Sequence, residues 1–148
     1  GDPAFAARAR ALAARVVDFS SFVLAHWTDG LTRARDGVVT FHDSCHLRRS
    51  LGVYEEPRVL LARAGYTLKE MAMPDRCCGF GGSYAFKFPA ISRSLLDDKI
   101  DDIAGSGAAT LVTDCPGCLL QIRSGLAVRN LGISAQHTAE LLVGNLPS

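Results

Sequence analysis

From Phe5 onward the apolar positions fall at Phe5, Ala9, Leu12, Val16, Phe19, Val23 and Trp27. Steps of four and three draw one continuous stripe along a helix, and a stripe with this spacing is a packing surface. Asp2 is placed to cap the helix and Pro3 to occupy its first turn. Trp27 and the rings of the stripe belong to a core on this reading, not to a cofactor pocket, and His26 falls at the helix end, where a positive charge suits the dipole. Residues 1–37 thus read as an N-terminal packing helix and a polar connection from Thr28 to Gly37.

After residue 37 the period changes. Val38-Val39-Thr40-Phe41 is a β-branched and aromatic run that reads as a buried strand. Glu56 to Ala64 reads as a helix, with Pro57 in its first turn, Val59, Leu60 and Leu61 on its apolar face and Gly65 as its stop. Tyr66 to Met71 returns as a strand. The next helix starts near Pro89, turns Ile91, Leu95, Ile100 and Ile103 inward and ends at Gly105-Ser106-Gly107. Its acidic residues Asp97, Asp98, Asp101 and Asp102, with Lys99 among them, read as a solvated face, not a hard-cation site. Thr110-Leu111-Val112-Thr113 is the clearest strand; a helix bearing Leu119, Ile122 and Leu126 follows, with Gly132 beyond its end. Ile133 to Gln136 and Ala139 to Val143 supply a last strand and helix. Strands alternating with helices give an α/β fold with a layered parallel sheet over residues 38–148.

Composition narrows the function. The 148 residues carry a formal charge of +1, with 48% hydrophobic and 21% charged positions, which suits one globular domain and leaves no basic footprint for nucleic acid. Arg33-Ala34-Arg35 and Arg48-Arg49 read as solvated charges, as does Lys87. No apolar run is long enough for a transmembrane helix and no signal-peptide pattern opens the chain, so the expected location is the cytoplasm, with any membrane association through a partner. The opening Gly1-Asp2-Pro3, almost directly on a helix, suggests a piece of a longer protein, its C-terminal half.

The five cysteines change the picture most. They form one constellation, C-x31-C-C-x36-C-x-x-C, made by Cys45, the adjacent pair Cys77-Cys78, and Cys115 and Cys118. An odd number in a chain without secretory features favours metal or redox chemistry over structural disulfides. Cys45 and Cys115 each follow a strand, at the sheet edge where α/β proteins bind ligands. Cys115 and Cys118 flank Pro116 at a strand-to-helix junction, where free N–H groups and the dipole favour thiolates. Gly79, Gly81 and Gly82 let backbone N–H groups approach sulfur and tune a bound cluster. Three chemistries compete: an iron–sulfur cluster using all five thiolates, a structural zinc site using four, and a cluster-free C-P-G-C thiol–disulfide oxidoreductase. The thiolate count favours the cluster. His42, His46 and His137 end strands on the same side, where each is able to bind metal, hydrogen-bond to sulfur or move protons; His46 is the first choice. Gly79-x-Gly81 lacks the third glycine of a dinucleotide fingerprint, so flavin or nicotinamide chemistry falls to a partner.

The cysteine pattern together with His42-Asp43-Ser44-Cys45-His46, Cys77-Cys78-Gly79-Phe80-Gly81-Gly82 and His137-Thr138-Ala139-Glu140-Leu141-Leu142 resembles the cysteine-rich CCG domain of heterodisulfide reductase. The same domain occurs in the iron–sulfur subunits of glycolate oxidase and anaerobic glycerol-3-phosphate dehydrogenase and in the lactate utilization protein A group, to which the flanking residues are most similar. Members usually carry two such halves and this chain has one. The intact Cys115-Pro116-Gly117-Cys118 resembles the heterodisulfide and glycerol-phosphate branches. The resemblance implies electron transfer through a [4Fe-4S] cluster, in heterodisulfide reductase a non-cubane one, held by all five cysteines; related domains are associated with zinc. It also implies a flavin-bearing or other redox partner and a substrate that is a 2-hydroxy acid, a glycerol phosphate or a disulfide.

Overall fold

Val38–Phe41 (β1) and Thr110–Thr113 (β3) pair in parallel at the middle of a four-stranded sheet, with Thr67–Leu68 (β2) and Ser134–His137 (β4) outside them in the order β2-β1-β3-β4. The computed structural model describes residues 2–28 and 37–143; the Arg33-Ala34-Arg35 run and most of the connection from Thr28 to Gly37 lie outside them. The described helices are α1 (Pro3–Ala13), α2 (Phe19–Ala25), α3 (Glu55–Arg63), α4 (Tyr84–Lys87), α5 (Pro89–Gly105), α6 (Pro116–Arg129) and α7 (Thr138–Val143), with a π-helical turn at His46–Leu51. Parallel pairing requires a crossover between neighbouring strands and brings every carboxyl end to one edge. The α/β reading with a layered parallel sheet is what the structure has.

Side-chain alternation covers both faces. Leu111 and Ala135 meet Ile100 and Ile103 of α5 and Leu119, Ile122 and Leu126 of α6 on one side. Val39, Phe41 and Val112 meet Leu60 and Leu61 of α3, Leu141 and Leu142 of α7, and Val23 and Trp27 on the other. A parallel sheet buried on both faces needs such apolar runs in its central strands.

The N-terminal stripe is not one helix. Asp18 caps a new helix by accepting from the Ser21 N–H at 3.0 Å, so α1 and α2 separate between Ala14 and Asp18. Only the second end of the stripe packs: Val23 and Trp27 join the core, whereas Phe5, Leu12 and Val16 are exposed and α1 buries none of its residues. Ile91 is exposed too, because the inward side of α5 is set by Ser92, Lys99, Ile100 and Ile103. Tyr66 to Met71 shrinks to a two-residue strand. Its ladder ends where the Lys69 N–H donates to the Val39 carbonyl at 2.8 Å, after which the chain turns to the carboxyl edge. Lys99 does not lie on a solvated face: its side chain is 0% exposed and bound at its tip. Arg48 is likewise engaged, by an ion pair with Asp43.

Candidate metal centre

The carboxyl edge of the sheet gathers the cysteines. Buried His42, Asp43 and Ser44 extend β1 to Cys45, which opens the π-helical turn. Cys115 follows β3 as the N-cap of α6, and Cys118 lies in that helix's first turn. Cys77 and Cys78 arrive on the loop after β2. All five line one cavity of about 110 Å³, with His42, Ser44, His46, Phe80 and Gly81. Cys78 and Cys118 are buried, Cys115 is half-buried, and Cys45 and Cys77 are exposed at the mouth. Organic ligands occupy pockets of roughly 300–1,000 Å³, so this cavity suits a small inorganic group. None of the five forms a disulfide.

Charge is arranged for a cation. The Cys115 thiol is pushed down to about 5, first by hydrogen bonding with Cys118, against burial, and then by the N–H groups of Cys118 and Gly117 at the helix start. Cys78 is held low chiefly by Cys118, with burial opposing and His42 helping. Cys118 is correspondingly raised by Cys115 and Cys78 and keeps the shared proton. Anionic sulfur packed this closely is the donor set of a thiophilic metal or an iron–sulfur group.

Close approach explains two glycines. Gly79 has φ +84°, donates its N–H to Cys77 Sγ at 3.3 Å, and would place a Cβ 2.3 Å from the Ser92 carbonyl oxygen. A Cβ on Gly117 would meet the Phe80 ring at 2.7 Å, so the Phe80 ring of the Cys77-Cys78 loop packs directly on the backbone of the C-P-G-C turn. Gly81 lines the cavity, while a side chain at Gly82 would meet nothing within 4 Å. Gly79→Ala is expected to cost roughly 2–4 kcal/mol, from the left-handed backbone plus overlap with main chain; Gly82→Ala, with backbone strain alone, should cost less in a urea titration.

The three histidines part company. His42 is 1% exposed, and its Nδ1 lies 3.2 Å from the Pro74 carbonyl oxygen; a carbonyl only accepts, so Nδ1 carries the proton. Its Nε2 is buried without a hydrogen-bond partner, and a ring nitrogen lies within 4.8 Å of the sulfurs of Cys78 and Cys118. His46 is exposed and lines both the cavity and a neighbouring apolar groove of about 450 Å³ walled by Val16, Val17, Phe19 and Leu51. His137 lies elsewhere. It packs edge-on against Phe19 and accepts the Ala139 N–H at 3.1 Å, organising the start of α7.

Two buried charged groups and the half-buried Asp114 support the edge. Asp43, with a side chain 0% exposed, is clamped by Arg48 at 2.6 Å and Arg58 at 2.8 Å. Lys99 Nζ donates to the Met73 carbonyl at 2.6 Å, pairs with Asp102 at 3.4 Å, and so fixes the loop leading to Cys77; burial lowers its pKa, with Asp102 opposing. Asp114, beside Cys115, bonds Ser20 of α2, and burial raises its pKa. Sequence reasoning passed over all three as site elements.

The comparisons with known proteins agree with this geometry. A family model described as cysteine-rich domain, CCG, matches residues 39–123. Lactate utilization protein A 1 of Bacillus cereus (strain AH820) is 39% identical over 147 positions, covering 95% of this chain and 60% of the relative. Lactate utilization protein A of Bacillus cytotoxicus and of Bacillus thuringiensis (strain Al Hakam) match with the same identity and coverage. The chain therefore spans about 60% of the length of these relatives. With its five thiols on one cavity at the carboxyl edge of a parallel sheet and a match over residues 39–123, the chain belongs to the cysteine-rich CCG domain family.

Proposed function

We propose that this chain is an iron–sulfur electron-transfer domain of a cytoplasmic oxidoreductase that acts on a 2-hydroxy acid, lactate before glycolate, with glycerol phosphate and disulfides as less favoured substrates. The observation that carries the reading is the convergence of five thiols on one small cavity. One zinc ion takes four ligands in a closed structural site, which leaves a thiol over; a cluster of several irons employs all five. The substrate class rests on the relatives' name, lactate utilization protein A.

On this reading Cys45, Cys77, Cys78, Cys115 and Cys118 hold a [4Fe-4S] group, non-cubane in type, and residues 38–148 are the binding domain. That group, when bound, supplies one-electron storage at a potential set by its surroundings. The chain's own residues do the rest. The α6 N-terminus and the Gly79 N–H offset negative charge on sulfur. Buried Cys78 and Cys118 keep water from the inner side, while Cys45 and Cys77 face the solvent edge from which electrons enter and leave. Substrate oxidation falls to a flavin-bearing or other redox partner. No described helix is long and apolar enough to cross a membrane.

Single Cys→Ser variants at the five positions test the reading. Each is expected to lose most of its iron and sulfide after anaerobic reconstitution. A wild type without iron or sulfide whose thiol–disulfide activity is lost only in the Cys115 and Cys118 variants would instead indicate C-x-x-C thiol chemistry, and one zinc per chain kept by a single variant and lost by the other four would indicate a structural site.

A further inference from the structure

We infer that His42 is a nitrogen donor to the group held by the cysteines, its imidazole pre-set by the Pro74 carbonyl; this rests on the five-cysteine reading above. A buried polar atom without a partner costs about 1–3 kcal/mol, and His42 Nε2 is such an atom. Within the chain the ring also interacts with the Cys78 thiol, and a metal held by that sulfur would meet the nitrogen lone pair directly. A ring nitrogen of His42 lies within 4.8 Å of Cys78 Sγ and Cys118 Sγ. Ligand atoms sharing one metal at bond lengths of about 2.0–2.3 Å stand roughly 3–4 Å apart, a similar scale.

The other side of the ring is built as a ligating histidine requires. Metal-bound imidazoles donate their second N–H to a carboxylate or backbone carbonyl, which fixes tautomer and orientation. His42 Nδ1 does so to Pro74 at 3.2 Å. The Pro74 carbonyl also accepts the Asp43 N–H at 3.0 Å and faces Lys99 Nζ at 3.5 Å. The backbone carrying the ring is pinned as well, since the His42 N–H bonds the Val112 carbonyl at 2.9 Å and the His42 carbonyl accepts Thr113 Oγ1 at 3.1 Å. With Nδ1 committed to Pro74 and the backbone pinned, Nε2 is the ring's one open ligating atom. Buried Cys78 and Cys118 with His42 then form a nitrogen–sulfur floor to the site, and Cys45, Cys77 and Cys115 its outer part.

Replacing thiolate by imidazole at iron raises the reduction potential, so the centre should sit above its all-cysteine counterpart. The test uses the protein labelled with ¹⁵N-histidine, loaded anaerobically with iron and sulfide and placed in its paramagnetic state. A nitrogen hyperfine coupling is expected in the wild type, retained in His46→Gln and lost in His42→Cys, whose potential should also fall. Full iron without that coupling, or a coupling that survives in His42→Cys, would overturn the histidine ligand and leave the five-cysteine centre standing. Failure of the wild type to take up iron and sulfide would overturn both.

Discussion

Asp43→Ala is expected to destabilise the chain by about 3 kcal/mol, at the low end of the 3–5 kcal/mol range for breaking a buried ion pair. The carboxylate is fully buried and receives Arg48 Nη1 at 2.6 Å, Arg58 Nη1 at 2.8 Å and Arg58 Nη2 at 3.2 Å. Removing it leaves the Arg58 guanidinium over the Phe41 ring with only Glu70 and the Tyr54 carbonyl as partners. Glu70 is why the low end is chosen. With a urea m-value of roughly 1–3 kcal/mol/M, the midpoint should drop by about 1–3 M. Arg48→Ala removes the more exposed partner and should cost under about 1 kcal/mol. Equal midpoints for the two variants would contradict the burial argument. Asp43 adjoins His42 and lies two positions before Cys45, so the same variant should hold less iron even where it remains folded.

Lys99→Met should cost about 3–5 kcal/mol by leaving the Asp102 carboxylate without its cation in a buried setting. The ammonium is 0% exposed and the Asp102 carboxylate 7%, so neither recruits water freely. Asp102 would still accept the Met73 N–H at 3.1 Å, which makes Lys99→Met/Asp102→Asn the informative comparison. The double variant should regain at least half of the loss, and amide exchange in the Met71 to Arg76 loop should be faster in the single variant than in the double. A single variant as stable as the wild type would show that the lysine is not held as the geometry requires.

Strands and the central helices were legible because their signals are local. Val38–Phe41 and Thr110–Thr113 fall where β-branched runs place them, and Leu119, Ile122 and Leu126 pack as their spacing requires. The N-terminal stripe misled because periodicity records which residues are apolar, not where the helix breaks. Asp18 is a capping residue in the middle of that stripe, and it starts a second helix.

The site divides in the same way. Cysteines announce themselves, and the carboxyl-edge rule brings all five together from sequence alone. Histidine ranking was out of reach, since His42 and His46 flank Cys45 closely in sequence and only the burial of one and exposure of the other separates them. Lys99 did leave a trace. Ser92, Leu96, Lys99 and Ile103 recur at steps of four, three and four, a helical stripe that places the lysine on the inward side; its charge concealed this. Asp43 left none, because its partner Arg58 is 15 positions away on another element.

Metal and sulfide analysis of protein purified without oxygen addresses the proposed function most directly. Iron and acid-labile sulfide in near-equal amounts, close to four of each per chain if the group is [4Fe-4S], with a brown chromophore and little zinc, is the expected result. One zinc per chain with no iron, before and after anaerobic reconstitution, would contradict it and make the five-cysteine cavity a structural site.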